Sequence, residues 1–113
     1  MVDSSSTGLT ARQISTLEKF LRAGFKLVTF ERYARYLAVE KDGFVALLDP
    51  AGGRFTLYSQ IGYRIGEGIG MLVEGATGKA FVWHQESVPA SAELLAAYER
   101  MRRELSDLLN PEA

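Results

Sequence analysis

The run Gly62-Tyr63-Arg64-Ile65-Gly66-Glu67-Gly68-Ile69-Gly70-Met71-Leu72-Val73-Glu74 decides how this chain folds, because it can be read in two ways. Alternate residues of a strand share a face. As one continuous strand, the run therefore carries Arg64, Gly66, Gly68, Gly70, Leu72 and Glu74 on one side, a strip bare of side chains at its centre. The other side carries Tyr63, Ile65, Glu67, Ile69, Met71 and Val73, an apolar set broken by one carboxylate. Read instead as two shorter strands, the run has a tight turn around Glu67 that leaves this side chain in water, which turn chemistry favours. An interior glycine costs roughly 0.5–1 kcal/mol relative to alanine. Three of them mark a requirement for bending, turning, close packing or space.

Upstream of this run the pattern has period two for several dozen residues. It predicts strands at Phe25 to Glu31, Tyr33 to Glu40, Phe44 to Asp49 and Arg54 to Ser59. Asp42-Gly43 between two apolar runs is a strong hairpin signal, because glycine supplies the positive φ of a tight turn. Asp49-Pro50-Ala51-Gly52-Gly53 marks the next turn. Downstream, Met71 to Glu74 and Lys79 to His84 are strands, and Gln85 to Ala90, with Pro89, is a connection.

Helices are predicted at both ends. Thr10 caps the first, which ends near Gly24, with Ile14, Leu17, Phe20 and Leu21 as its apolar face and Arg12, Gln13, Glu18, Lys19 and Arg22 in solvent. Ser91 caps the second, which runs to about Leu109 and is stopped by Asn110-Pro111. Leu94, Tyr98, Met101, Leu105 and Leu108 recur at helical spacing, a stripe suited to covering a sheet or to meeting a second protomer. The fold class expected is α+β: a tail over residues 1–8 and a single domain over 9–113. Within that domain an antiparallel meander of five to seven strands lies between the two helices, the C-terminal one packed on one sheet face. This element order has the outline of helix-grip domains. No motif accompanies it, so no function is carried over.

Composition excludes more than it identifies. The chain has 113 residues, 47% of them hydrophobic, enough for one core. The absence of cysteine removes disulfides, thiolate metal sites and cysteine nucleophiles. No signal or membrane-spanning pattern is present, so a soluble, cytoplasmic protein is expected, without membrane partners. Up to Lys41 there are seven Lys or Arg against four Asp or Glu, and six against ten after it. That asymmetry is too mild for nucleic-acid binding.

No catalytic motif, metal set or cofactor fingerprint is found. His84 is the sole histidine, and His84-Gln85-Glu86 lacks the cysteine partner motif of zinc deaminases. The glycines lead into a strand where a phosphate loop leads into a helix. Three expectations follow for function. The first is a non-enzymatic, self-associating interaction module, a homodimer or partner of another protein, meeting through Leu94, Tyr98, Met101, Leu105 and Leu108. The second is a small-ligand binder with a pocket between sheet and C-terminal helix, using Tyr58, Arg64, Gly66, Gly68, Gly70, Trp83 and His84. The third is an acid-base or hydrolytic enzyme built on His84 with Glu67 or Glu74.

Overall fold

The computed structural model describes residues 9–76 and 78–109, apart from the side chain of Ser59. The tail expected over residues 1–8 lies outside the described residues, as does the Asn110-Pro111 stop. In chain order the elements are α1 (Ala11–Arg22), β1 (Lys26–Val28), β2 (Leu37–Lys41), β3 (Phe44–Asp49), β4 (Thr56–Ile65), β5 (Gly68–Gly75), β6 (Gly78–Trp83), β7 (Glu86–Pro89) and α2 (Ala92–Leu109). The seven strands form one antiparallel sheet in sequence order. This is the α+β helix, meander, helix arrangement. Among the described residues no helix is long and apolar enough to cross a membrane.

The decisive run contains a turn. Ile65 pairs with Gly68, so Gly66 and Glu67 form a two-residue hairpin, with Gly66 at φ 58° and Glu67 exposed. A two-residue turn changes the parity of the faces. Tyr63 and Ile65 now share a face with Gly68, Gly70 and Leu72, whereas Ile69 and Met71 join a cluster on the opposite face. Asp42-Gly43 behaves as its sequence predicts, with both residues at positive φ (55° and 86°), as in a type I′ turn.

Gly68 and Gly70 sit where the sheet bends. The space a Cβ would take at Gly68 is filled by the Trp83 indole, and at Gly70 by Ile65 Cδ1 at 2.5 Å, with the Val82 backbone nitrogen at 3.3 Å. The bend brings Phe81 of β6 against Phe44 of β3, ring centroids 5.6 Å apart. In a flat sheet, strands three places apart stand about 14 Å from each other. Tyr63 and Tyr98 complete the aromatic group around Phe44, at 5.1 and 6.0 Å, so β3, β4, β6 and α2 meet at one point. Met101 and Leu105 of α2 are buried in the same core.

The opposite face is covered from within the chain. Sequence pattern predicts strands through Glu31 and from Tyr33, but β1 ends at Val28 and a 3₁₀ turn spans Glu31–Tyr33. The reason is an aromatic spacing of three. Tyr33 N donates to Phe30 O (2.9 Å) and Tyr36 N to Tyr33 O (3.0 Å), so Phe30, Tyr33 and Tyr36 line up on one side. They cap Ala38, Val45, Leu47 and Ile69. With both faces covered, Phe44 to Leu48 of β3 are all buried. A further difference is β7. Glu86–Pro89, expected as a connection, pairs with β6 as an edge strand, where the missing N–H of Pro89 is tolerated.

α1 is rotated from its expected face. Gln13, expected in solvent, is 1% exposed, while Ile14 and Leu21 are 41% and 50% exposed. Thr10 and Gln13 form a capping box: Thr10 N donates to Gln13 Oε1 (2.8 Å), and Gln13 N donates to Thr10 Oγ1 (3.1 Å). Gln13 Nε2 also donates to Pro50 O at 2.6 Å, tying the helix start to the β3–β4 turn. At the other end Lys41 Nζ donates to Ala23 O (2.7 Å) and to Glu104 (3.0 and 3.1 Å), joining the α1 end, β2 and α2.

Two stability predictions follow from these contacts. Gln13→Leu strips the partners from Pro50 O and Thr10 N and lowers unfolding free energy by about 1–3 kcal/mol, whereas the exposed Arg12→Ala changes it by under about 0.5 kcal/mol. Urea unfolding measures both, and equal effects would remove the role given to Gln13. Gly68→Ala drives a methyl into Trp83, costs about 1–3 kcal/mol and shifts tryptophan emission. Gly66→Ala has no atom within 4 Å of its Cβ and strains only its own φ. It costs about 1–2 kcal/mol and leaves the emission unchanged.

Candidate functional site

The residues singled out from sequence do not form one site. Gly68 and Gly70 lie on the helix-facing side, already covered by Trp83 and Ile65. Tyr58 and Arg64 lie on the other side. The Tyr58 ring stacks on Tyr36 at 4.1 Å, and Arg64 sits over Phe30 at 5.2 Å and pairs with Glu40 at 2.8 Å. Burial, followed by the neighbouring Tyr58 hydroxyl, raises the Tyr36 phenol above its ordinary pKa. Gly66 and His84 stand in two separate exposed turns. Gly68 and Gly70 are thus covered from within the sheet, while the space at Gly66 is open.

Of the acid-base set, Glu74 and His84 lie at opposite ends of β6. Glu74 pairs across the β5–β6 hairpin with Lys79, five residues from His84, or about 16 Å along the strand. Glu67 is in the other turn, and among the described residues no ion pair joins His84 to either carboxylate. No group of three or more potential metal ligands occurs among the described residues.

The helix stripe is consumed mainly by the protein's own core. Met101 and Leu105 are 3% and 1% exposed, and Leu94, Tyr98 and Leu108 are half-buried against the same cluster. Ser91 Oγ accepts from Leu94 N (3.2 Å), which fixes where α2 begins and therefore which residues meet the sheet.

Between α2 and β4 the packing leaves a groove of about 600 Å³. From α2 come Tyr98, Arg102, Leu105, Ser106 and Leu109, one helical face, and from β4 and its approach come Arg54, Phe55, Thr56, Leu57, Gln60 and Ile61. Phe55, Ile61 and Leu105 are buried and make the floor, whereas Leu57 remains 39% exposed. The groove is open because β4 meets β5 through three residue pairs only, Tyr63–Gly70, Arg64–Ile69 and Ile65–Gly68. From Met71 onward β5 pairs with β6.

The charged residues described in the groove lining are arginines. Arg54 and Arg102 stand at its rim, and a smaller depression of about 220 Å³ shares Arg54, Phe55 and Leu109 with it and adds Arg12 and Lys19. Among the described residues neither is lined by an aspartate or glutamate. Arg102 pairs with Glu99 at 2.9 Å, with both side chains more than half exposed. Such a pair contributes under about 1 kcal/mol, so an incoming anion competes with it. Guanidinium groups over an apolar floor suit a carboxylate or phosphate attached to an apolar body. In volume the groove falls within the range of small-molecule sites.

Of the site and interface residues named from sequence, only Tyr98 and Leu105 line this groove. Leu57, Arg102 and Ser106 carry no motif, and only the α2 face bearing Tyr98 and Leu105 was visible in advance. Compared with known proteins, the chain matches no family model, and no curated protein or solved structure shows significant similarity to it.

Proposed function

We propose that this protein is a small non-enzymatic binding domain, and that its site is the groove between α2 and β4. Its ligand is elongated and apolar with an anionic group. The observation that carries this reading is a cleft of about 600 Å³ with a buried apolar floor, two arginines at the rim and, among the described residues, no carboxylate in its lining. The separation of Glu74 from His84 supports binding over acid-base chemistry.

Dodecanoate is the simplest probe of that chemistry. Titrated into ¹⁵N-labelled protein, it is expected to shift amide signals of Leu57, Gln60, Ile61, Arg102 and Leu105. Arg54→Ala and Arg102→Ala each weaken it roughly tenfold, the loss expected for one charge-assisted contact. Arg32→Ala, on the exposed 3₁₀ turn, is the control and leaves affinity unchanged. Absence of saturable shifts, or shifts centred on the Tyr36–Tyr58 face, would discard the groove.

A second reading, self-association, draws on apolar residues left in solvent. With the Leu94 to Leu108 stripe occupied by the core, the surface available to a second protomer is Ile14 and Leu21, seven residues apart on one face of α1, with Leu27 on edge strand β1, 48% exposed. Sedimentation at micromolar concentration is expected to give a homodimer that Ile14→Lys with Leu21→Lys converts to monomer. A monomer of 12.5 kDa in the unaltered protein would remove this reading.

A further inference from the structure

Tyr36 and Tyr58, on the side of the sheet away from the helices, make a contact that the groove does not use. Their rings stack with centroids 4.1 Å apart and planes at 18°. Their hydroxyls are neighbours as well. Both phenols therefore point the same way, and the carbons beside each oxygen lie near their counterparts across the stack.

No other tyrosine is placed like this. Tyr63 and Tyr98 pack on Phe44 and Phe81 in the core, and among the described residues no ring contact joins Tyr33 to another tyrosine. Competing electron donors are few. The chain has no cysteine, so no thiol of its own quenches a tyrosyl radical, and its one tryptophan, Trp83, packs on the helix-facing side. Tyr58 is 41% exposed, which leaves the stack within reach of an oxidant in solution.

We propose that this pair is an oxidative modification site, where a one-electron oxidant such as the ferryl haem of a peroxidase joins Tyr36 to Tyr58 through a carbon–carbon bond. Each phenol gives one electron to the oxidant and one proton to water. The resulting radicals carry unpaired spin on the carbons beside the oxygen, in orbitals perpendicular to the rings. A stack brings two rings together along that direction, so the bond forms between those carbons. The hydrogens on the joined carbons then leave to water, water returns protons to the oxygens, and both phenols are restored. The net loss is two hydrogen atoms, which one hydrogen peroxide takes up as two molecules of water. Tyr36 follows the 3₁₀ turn whose aromatics cover the rear of β3, and Tyr58 belongs to β4. The bond closes a ring through β2 and β3 and fastens that cover to the sheet.

Photo-oxidation of the full chain at micromolar concentration with ruthenium tris-bipyridyl and persulfate tests this, read by dityrosine fluorescence and by mass. A monomer lighter by two hydrogens is expected, from which trypsin releases residues 36–41 joined to residues 55–64. Tyr63 shares the second peptide, so substitutions assign the bond. Tyr36→Phe and Tyr58→Phe keep a ring in the stack, yet each lowers the yield about tenfold, since the favoured coupling depends on two phenols held in contact. Tyr63→Phe leaves the yield unchanged, and unfolding the chain in urea before oxidation lowers it as far as Tyr58→Phe does. The purified cross-linked monomer unfolds at higher urea than its parent, because the ring constrains the unfolded chain. Absence of dityrosine, a yield that survives Tyr58→Phe or prior unfolding, or a product made mainly of cross-linked dimers overturns the site. An unchanged urea midpoint overturns the fastening.

Discussion

Strand β5 divides its length between two neighbours, and most of the architecture depends on how it does so. Its first three residues, Gly68 to Gly70, pair with β4, and the remainder, from Met71, pairs with β6. A strand that paired with both along its whole length would extend a continuous sheet. Dividing the pairing lets the β5–β6–β7 part turn over the helix-facing side, so that Phe81 reaches Phe44 across two intervening strands. The same division leaves the first half of β4 paired with β3 but not with β5. Core and groove therefore share one origin.

The other side of the sheet makes this possible. A curled sheet exposes the backs of its central strands, and β3 is apolar at every position from Phe44 to Leu48. Phe30, Tyr33 and Tyr36 cover that back through a short 3₁₀ segment. The two helices then need to cover only one side. They are held there by a few long-range polar contacts: Gln13 to Pro50 at the start of α1, and Lys41 to Ala23 and Glu104 at its end. Lys41 is only a quarter exposed and also lies over the Phe25 ring at 5.3 Å, so its charge is fixed by packing as well as by pairing.

Much of this was legible from residue patterns, and what was not has definite causes. The order of helices and strands, the Asp42-Gly43 hairpin and the Ser91 cap all rest on local chemistry, which a sequence displays directly. A period of two hides Phe30, Tyr33 and Tyr36, because it runs through a stretch whose aromatics recur every three. Polarity alone places Gln13 in solvent. Yet Thr10 followed three residues later by glutamine is the capping-box pattern, and it turns that side chain toward the chain that precedes it. Both signals were present. The groove is different, since Leu57, Gln60 and Arg102 come together only through the partner change in β5, a non-local pairing that no spacing along the chain announces.

The alternate glycines illustrate how a feature can matter to a site without belonging to it. Read as a strip, they suggested a floor for a ligand, but Trp83 and Ile65 occupy that space. Side chains at Gly68 and Gly70 would hold β6 away from β5's bare face and oppose the curl. β5 would then be freer to continue alongside β4, closing the edge from Thr56 to Ile61. The absent side chains thus bear on the groove from a distance: what is missing from the strand at Gly68 reappears as a β4 segment at Leu57 that pairs with β3 but not with β5.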